Sequence, residues 1–336
     1  MKTRIAVTGA GGPSAVSVLQ ALAGRTTELF AADIDPYAPG LYLVVPDHRW
    51  LVLRGDDPDF VDDVLARCVE HRIDVLIPTV DTELLPVSQR AHEFQARGTR
   101  VMVARPATLE RCIDKAVLLE ACIGVCPVPR TAILRSAAQL ADWPLPCLVK
   151  PRFGAGGRGV RRIDNLADLG GVPTDGSFIV QEFLPGAEHS VDVLATLDAH
   201  VRAAVPRSRL KIDSGIAVTG MTVHDARLQR CATAVAEALG VIYVANIQFR
   251  DDAAGIPKLL DVNARFPGTM PLTIAAGVNM PCLALDMCLG LPLPAGCSTF
   301  QDIGMVRVWR EHFVDVNEII GLEREAERRK ARAPAG

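Results

Sequence analysis

Hydrophobic positions along the chain repeat with two periods, and the mixture changes part-way. In the first hundred residues short apolar runs alternate with amphipathic stretches. Arg4-Ile-Ala-Val-Thr8 and residues 28–33, 74–78 and 100–104 read as buried strands. Residues 13–22, 57–71 and 84–97 carry helical spacing, with Pro13 in a first turn and Gly98 as a stop. Strands alternating with helices predict a parallel sheet covered on both faces. Ligands in such sheets gather beyond the carboxyl ends of the strands, here residues 9–13, 33–35 and 79–83.

Past Pro106 the pattern shifts. Residues 107–123 predict one helix with Asp114 and Lys115 in its middle, and residues 124–131 break it into an extended segment. A short helix is expected over 136–143, then a strand that carries Lys150. Residues 178–184 form an apolar strand closed by Pro185-Gly186. Alternating apolar positions over 188–197 and 201–205 predict paired strands, with a third over 217–223. A helix over 225–239 stops at Gly240; antiparallel strands follow over 241–249 and 257–262, and a helix over 281–289. The charged stretch 323–330 reads as a solvated helix or frayed terminus. The fold class is therefore α/β, becoming α+β in the C-terminal part. No internal repeat is present.

Composition narrows the function little. The 336 residues are 49% hydrophobic and 22% charged, with a formal net charge of −3, so nucleic acid and anionic membranes are not expected partners. No apolar run approaches the roughly 18 residues of a spanning helix, which makes a cytoplasmic location the default expectation. The nine cysteines (68, 112, 122, 126, 147, 231, 282, 288, 297) are scattered and read as buried reduced thiols.

The candidate chemistry begins at Leu148-Val-Lys-Pro-Arg-Phe-Gly-Ala-Gly-Gly-Arg-Gly-Val160. Glycines 154, 156, 157 and 159 allow the backbone to approach an anion, with Lys150 as a fixed charge and Arg158 as a mobile one. It is not a Walker loop, because no Gly-Lys-Ser/Thr closes it; a plain glycine turn is the alternative. The turn Gly9-Ala-Gly-Gly12, with Asp33 downstream, is a partial dinucleotide fingerprint whose third position falls on Ala15. Asp81 and Glu83 could hold a substrate amine, or Glu83 could sit in a helix first turn favoured by the dipole.

Lys115, the Lys150 strand and glycine loop, Gln181-Glu182-Phe183-Leu184 with Glu188, and Gln248 with Asp261-Val-Asn263-Ala-Arg265 recur here in one order. Jointly they resemble the ATP-grasp superfamily, nearest the carbamoyl-phosphate-synthetase-like ligases, with the pyrrolysine-pathway lysine ligase a relative of similar architecture. The resemblance implies a Rossmann-like pre-ATP-grasp domain (1–104), a small lobe with the glycine loop (105–177), a large lobe with a metal site (178–300) and a C-terminal strand or helix with the charged tail (301–336). It implies that Lys115 and Lys150 meet the α- and β-phosphates of ATP, and that Gly154, Gly156, Gly157, Arg158 and Gly159 close over the β- and γ-phosphates. Adenine would slot at Gln181, Glu182, Phe183 and Leu184, with Glu188 on the ribose. Asp261 and Asn263 alternate with Val262 and so share a face; with Gln248 they would hold Mg²⁺ or Mn²⁺ through oxygen. Arg265 would neutralise the transferred phosphoryl, and Arg207 and Arg209 would meet γ-phosphate or a substrate carboxylate.

The implied reaction joins a small-molecule carboxylate to an amine through an acyl phosphate, in a possible homodimer. The rival readings are a nicotinamide-dependent oxidoreductase built on the N-terminal turn and a non-catalytic ATP sensor. The second is suggested by the short Asp261 and the neutral Gln248.

Overall fold

The computed structural model describes residues 2–140, 143–154, 157–213 and 215–332. Its first unit is a five-stranded parallel sheet of β1 (Thr3–Thr8), β2 (Thr27–Asp33), β3 (Arg49–Leu51), β4 (Val75–Ile77) and β5 (Arg100–Val101), in the order β3-β2-β1-β4-β5. Alternation along β1 divides the core. Ile5 and Val7 pack with α1 (Pro13–Leu22) on one side, while Ala6 packs with Phe30, Trp50 and α2 (Phe60–Glu70) on the other. The helix expected over 84–97 starts earlier and divides at Arg90, into α3 (Asp81–Gln89) and α4 (Ala91–Ala96). Pro86 inside α3 has no N–H to give back to the preceding turn, which weakens the helix there.

The single helix expected over 107–123 is also two, α5 (Pro106–Ile113) and α6 (Lys115–Ala121). Asp114 is the cap between them, its carboxylate accepting from the N–H groups of Ala116 (3.0 Å) and Val117 (3.4 Å). Lys115 is thus the first residue of a helix rather than the middle of one.

A four-stranded antiparallel sheet follows, of β6 (Thr131–Ile133), β7 (Cys147–Pro151), β8 (Arg161–Ile163) and β9 (Phe178–Glu182), in the order β6-β9-β7-β8. Of the helix expected over 136–143, Ala137–Leu140 form a tight turn, and residues 141 and 142 lie outside the described residues. The largest sheet contains β10 (Glu188–Ala195), β11 (Val201–Asp213), β12 (Ile216–Thr222), β13 (Tyr243–Asp251), β14 (Pro257–Asn263) and β15 (Gly304–Val306), in the order β14-β13-β10-β11-β12-β15. On it pack α7 (Ala226–Leu239), α8 (Met270–Ala275) and α9 (Met280–Cys288). Gly240 ends α7 in the left-handed region (φ 69°), as the sequence predicted.

The charged tail is not a frayed end. It forms α10 (Val316–Arg332), which lies back on the first unit. Leu322 is buried there, and Arg49–Glu318 (2.5 Å) and Arg329–Asp63 (2.6 Å) ion pairs fix it. All nine cysteines are free, and no described helix is long and apolar enough to cross a membrane.

Candidate active site

The site is built by strand alternation in β7. Cys147 and Val149 face the core of the small sheet, with Val180 and Trp143. Leu148 and Lys150 therefore face the other way, where the register sets Leu148 beside Gln181 and Lys150 beside Ile179. Lys150 is 8% exposed, and its burial lowers its pKa to about 8, against a partly offsetting attraction to Asp261. Lys115, Lys150, Gly154, Gly157, Arg158 and Asp261 line one cleft. Lys115 Nζ donates to the Gly154 carbonyl, and Asp114, which caps the Lys115 helix, also takes the Arg152 guanidinium at 2.7 and 2.9 Å. Strand end, loop and helix start are thereby tied together. Gly159 has φ 75° and a Cβ there would lie 2.9 Å from Pro151 Cγ, so only glycine fits. Gly156 lies outside the described residues.

On β9 the carboxylate of Glu182 is occupied: Lys258 Nζ holds it at 2.7 and 2.9 Å, and the Arg130 N–H at 3.0 Å. That leaves Gln181 as the side chain with capacity for an exocyclic amine. Gln181 is fully buried, donates through Nε2 to Thr131 Oγ1 (3.0 Å), and its Oε1 has no partner among the described residues. An unpaired buried acceptor is costly unless a ligand donor meets it. Phe183 carries the Arg162 guanidinium over its ring at 4.5 Å, and Leu184 is buried. Glu188, expected at a ribose, pairs with Arg209 Nη1 at 2.5 Å, and the same guanidinium donates to the Gly215 carbonyl at 2.6 Å.

The metal candidates depend on a bulge. Gln248 lies opposite Asp261, but Phe249 lies opposite Leu259, so Leu260 is the extra residue. Leu259 on one side of it and Val262 and Ala264 on the other all reach the same core. The bulge shifts the alternation between them and turns Asp261 and Asn263 to the cleft face. Burial raises the pKa of Asp261, while Lys115 and Lys150 oppose the shift. The donor set is one carboxylate and two amide oxygens, which suits a cation that keeps waters and leans on phosphate. Among the described residues no group of three His, Cys, Asp or Glu side chains forms a metal cage.

Arg265 is held at 2.6 and 2.9 Å by Asp81 and reaches Asn263 Oδ1 at 3.3 Å. Asp81 thus serves an arginine rather than standing free for an amine. Glu83 is also withdrawn from the cleft: it is 4% exposed, accepts from Thr8 Oγ1 at 2.5 Å, and burial raises its pKa to about 7. Arg207 needs the plainest correction. It is 1% exposed and pairs at 2.5 Å with Asp192, which also accepts from Asn246 Nδ2 (2.8 Å) and Thr273 Oγ1 (2.5 Å). Its place is in an interior polar network, not at a phosphate. The roles of Asp114, Arg152 and Lys258 emerge only in the fold, although the Asp-Lys-Ala-Val step into α6 was a legible capping signal for the first of them.

The N-terminal turn is closed on itself. The N–H groups of Ala10, Gly11 and Gly12 donate to Ala32 O (3.0 Å), Asp33 Oδ2 (2.6 Å) and Gly9 O (2.9 Å). A pyrophosphate finds those donors spent, and Asp33 is turned into the loop.

Two family models match the chain. One, described as PylC-like, N-terminal domain, covers residues 5–102. The other, described as ATP-grasp in the biosynthetic pathway with Ter operon, covers residues 174–310. The chain has the fold of the ATP-grasp proteins, and residues 174–310 match the family's own model.

Its ATP-grasp fold is shared with the biotin carboxylase domain of Hydrogenobacter thermophilus 2-oxoglutarate carboxylase, a structure holding MgADP and bicarbonate. That likeness has a TM-score of 0.72 at 16% identity over 89% of this chain and 73% of the other. L-amino acid ligase from Bacillus licheniformis gives 0.68 at 18% identity, over 85% and 74%. Among curated relatives, pyruvate carboxylase 1 of Caenorhabditis elegans is 27% identical over 215 residues, 56% of this ATP-grasp chain and 18% of that protein. The chain thus matches under a fifth of that relative's length, and the structural likenesses speak to the fold.

Proposed function

We propose that this ATP-grasp chain is an ATP-dependent carboxylate–amine ligase acting on an amino acid or small carboxylic acid. The observation that carries the reading is the convergence of Lys115, Lys150 and Asp261 beneath the glycine loop. Lys115 and Lys150 would hold the phosphates and reduce their mutual repulsion, with Arg158 closing from the loop. Gln181 Oε1 would accept from the adenine amine, and Glu188 would exchange Arg209 for ribose hydroxyls. Mg²⁺ or Mn²⁺ on Asp261, Asn263 and Gln248 would supply charge neutralisation at the β- and γ-phosphates.

A carboxylate oxygen attacks the γ-phosphorus in line, the bond from that phosphorus to the β–γ bridging oxygen breaks, and ADP leaves. The amine then attacks the acyl carbon, phosphate departs, and the amine's surplus proton goes to solvent or phosphate. Arg265, aimed by Asp81, stabilises charge on the moving phosphoryl. No protein nucleophile is needed; the glycine loop keeps water from the acyl phosphate. The test is ADP release screened against pairs of carboxylates and amines. A productive pair should lose at least about 100-fold in kcat/KM in Lys150→Ala, as for a charge at transferring phosphoryl. Undiminished turnover in that variant would overturn the proposal.

One observation favours a second reading, a non-catalytic ATP sensor. Asp261 is the sole carboxylate of the metal set, and Asn263 Oδ1 is already engaged by Arg265. A sensor would be stabilised by ATP–Mg²⁺ and release no ADP with any pair.

A further inference from the structure

We propose that Arg307, just past β15, anchors the carboxylate that receives the phosphoryl group. The inference rests on the ligase reading and names the residue that reading lacks. Of the arginines at or beside the cleft, Arg265 and Arg152 are committed to Asp81 and Asp114, Arg158 belongs to the glycine loop at the phosphates, and Arg209 pairs with Glu188. Arg49 and Arg207 also reach inward, and each of them faces a carboxylate too. Arg307 does not. Its backbone N–H extends the edge pairing to the Val218 carbonyl (2.8 Å), and its Nη2 donates to the Gly268 carbonyl (2.6 Å). Burial lowers its pKa, and among the described residues no acid side chain offsets that burial. A guanidinium has five donors in a planar fork, so most of this one is left for a bidentate anion.

Its position suits the task. Gly268 follows Arg265 by three residues on the segment that leaves β14. A Cβ at Gly268 would stand 2.8 Å from Pro13 Cγ and 3.8 Å from Ile216 Cδ1, so the glycine turn after β1 and the start of β12 close on the same point. The chain runs from Asp261, at the phosphates, through Asn263 and Arg265 to the carbonyl that holds Arg307. An acid substrate must lie next to the γ-phosphate although both are anions, and a cation at its far oxygen is what electrostatics requires. The class selected is a free carboxylate, not an ester or amide.

The experiment uses the full chain with ATP–Mg²⁺. The twenty protein L-amino acids and acetate are each tested beside the corresponding primary amide, by thermal shift and by ADP release. We expect one or more acids, and not their amides, to respond. Arg307→Met should raise KM for a responding acid about 30-fold, the scale of a lost charge-assisted pair. Arg307→Lys should recover part of this, and Arg310→Met, an exposed neighbour, should change nothing. The thermal shift with ATP–Mg²⁺ alone should persist in Arg307→Met. An acid response that survives intact in Arg307→Met overturns the inference and leaves the ligase reading standing; ADP release that is equal for acids and amides, which cannot form an acyl phosphate, overturns both. Absence of any ATP–Mg²⁺ shift in the native chain removes the ligase reading itself, and this inference with it.

Discussion

Lys150 is a cation that the fold keeps partly discharged until an anion arrives. With its pKa near 8, about half of it is neutral at pH 8. Phosphate oxygens beside it favour the charged form, so nucleotide binding should take up about half a proton at that pH. Affinity should fall as pH rises through 8, because the charged form is being lost. Calorimetry in two buffers of different ionisation heat measures the uptake, and Lys150→Met should abolish it. Glu83 behaves in the opposite sense. Its folded pKa, about 7 against 4.5, means the native state holds a proton that the unfolded chain has lost between those values. Stability should therefore decline as pH rises from 4.5 to 7, by roughly 3 kcal/mol at most. Glu83→Gln should flatten that decline, read by urea unfolding at pH 5 and pH 8.

At the scale of elements, the short link between α5 and α6 sets the cleft. Asp114 caps α6 and holds Arg152, so one carboxylate positions both the start of the Lys115 helix and the end of the Lys150 strand. Asp114→Ala should cost about 1 kcal/mol through the lost cap and raise KM for ATP. Asp114→Asn should retain the cap while losing the charge on Arg152, and paired urea melts and kinetics separate the two. Much of this level was legible in the sequence. Alternation in β14 put Asp261 and Asn263 on one shared face, the strand before the glycine cluster was read as carrying Lys150, and Gly240 announced the end of α7. The bulge at Leu260 was not legible, because it exists only in the register between two strands. Nor was the fate of Arg207: alternation along β11 says which face it takes, but not that Asp192 waits there. Which of Gln181 and Glu182 keeps a free acceptor was not legible for a similar reason, since Lys258 reaches Glu182 from a strand 76 residues away.

At the scale of the molecule, two of the contacts that join the first unit to the rest carry a prediction each. The Asp81–Arg265 pair bridges 184 residues of sequence and aims, from outside its own sheet, the arginine proposed to stabilise the phosphoryl group. Asp81→Asn should therefore lower kcat more than it lowers thermal stability, a split that ADP-release kinetics and melting curves resolve. The second contact is α10, whose apolar face and ion pairs cover β3 at the edge of the parallel sheet. A chain ended after Asp315 should melt at lower temperature, with the loss located by hydrogen exchange in β2 and β3. Charge patterning marked residues 323–330 as a solvated helix or frayed terminus, because the buried apolar anchor, Leu322, lies just before the charged stretch.

The position of α10 also fixes an order of events during synthesis. Arg49 leaves the ribosome long before Glu318, its partner 269 residues later. Throughout that interval the β3 edge is without its cover, while the strands beside it are able to pair. The first unit to be translated is thus the last to be finished. Slow decoding or stalling between these points should make the nascent chain adhere to chaperones through β3, until α10 emerges and closes the edge.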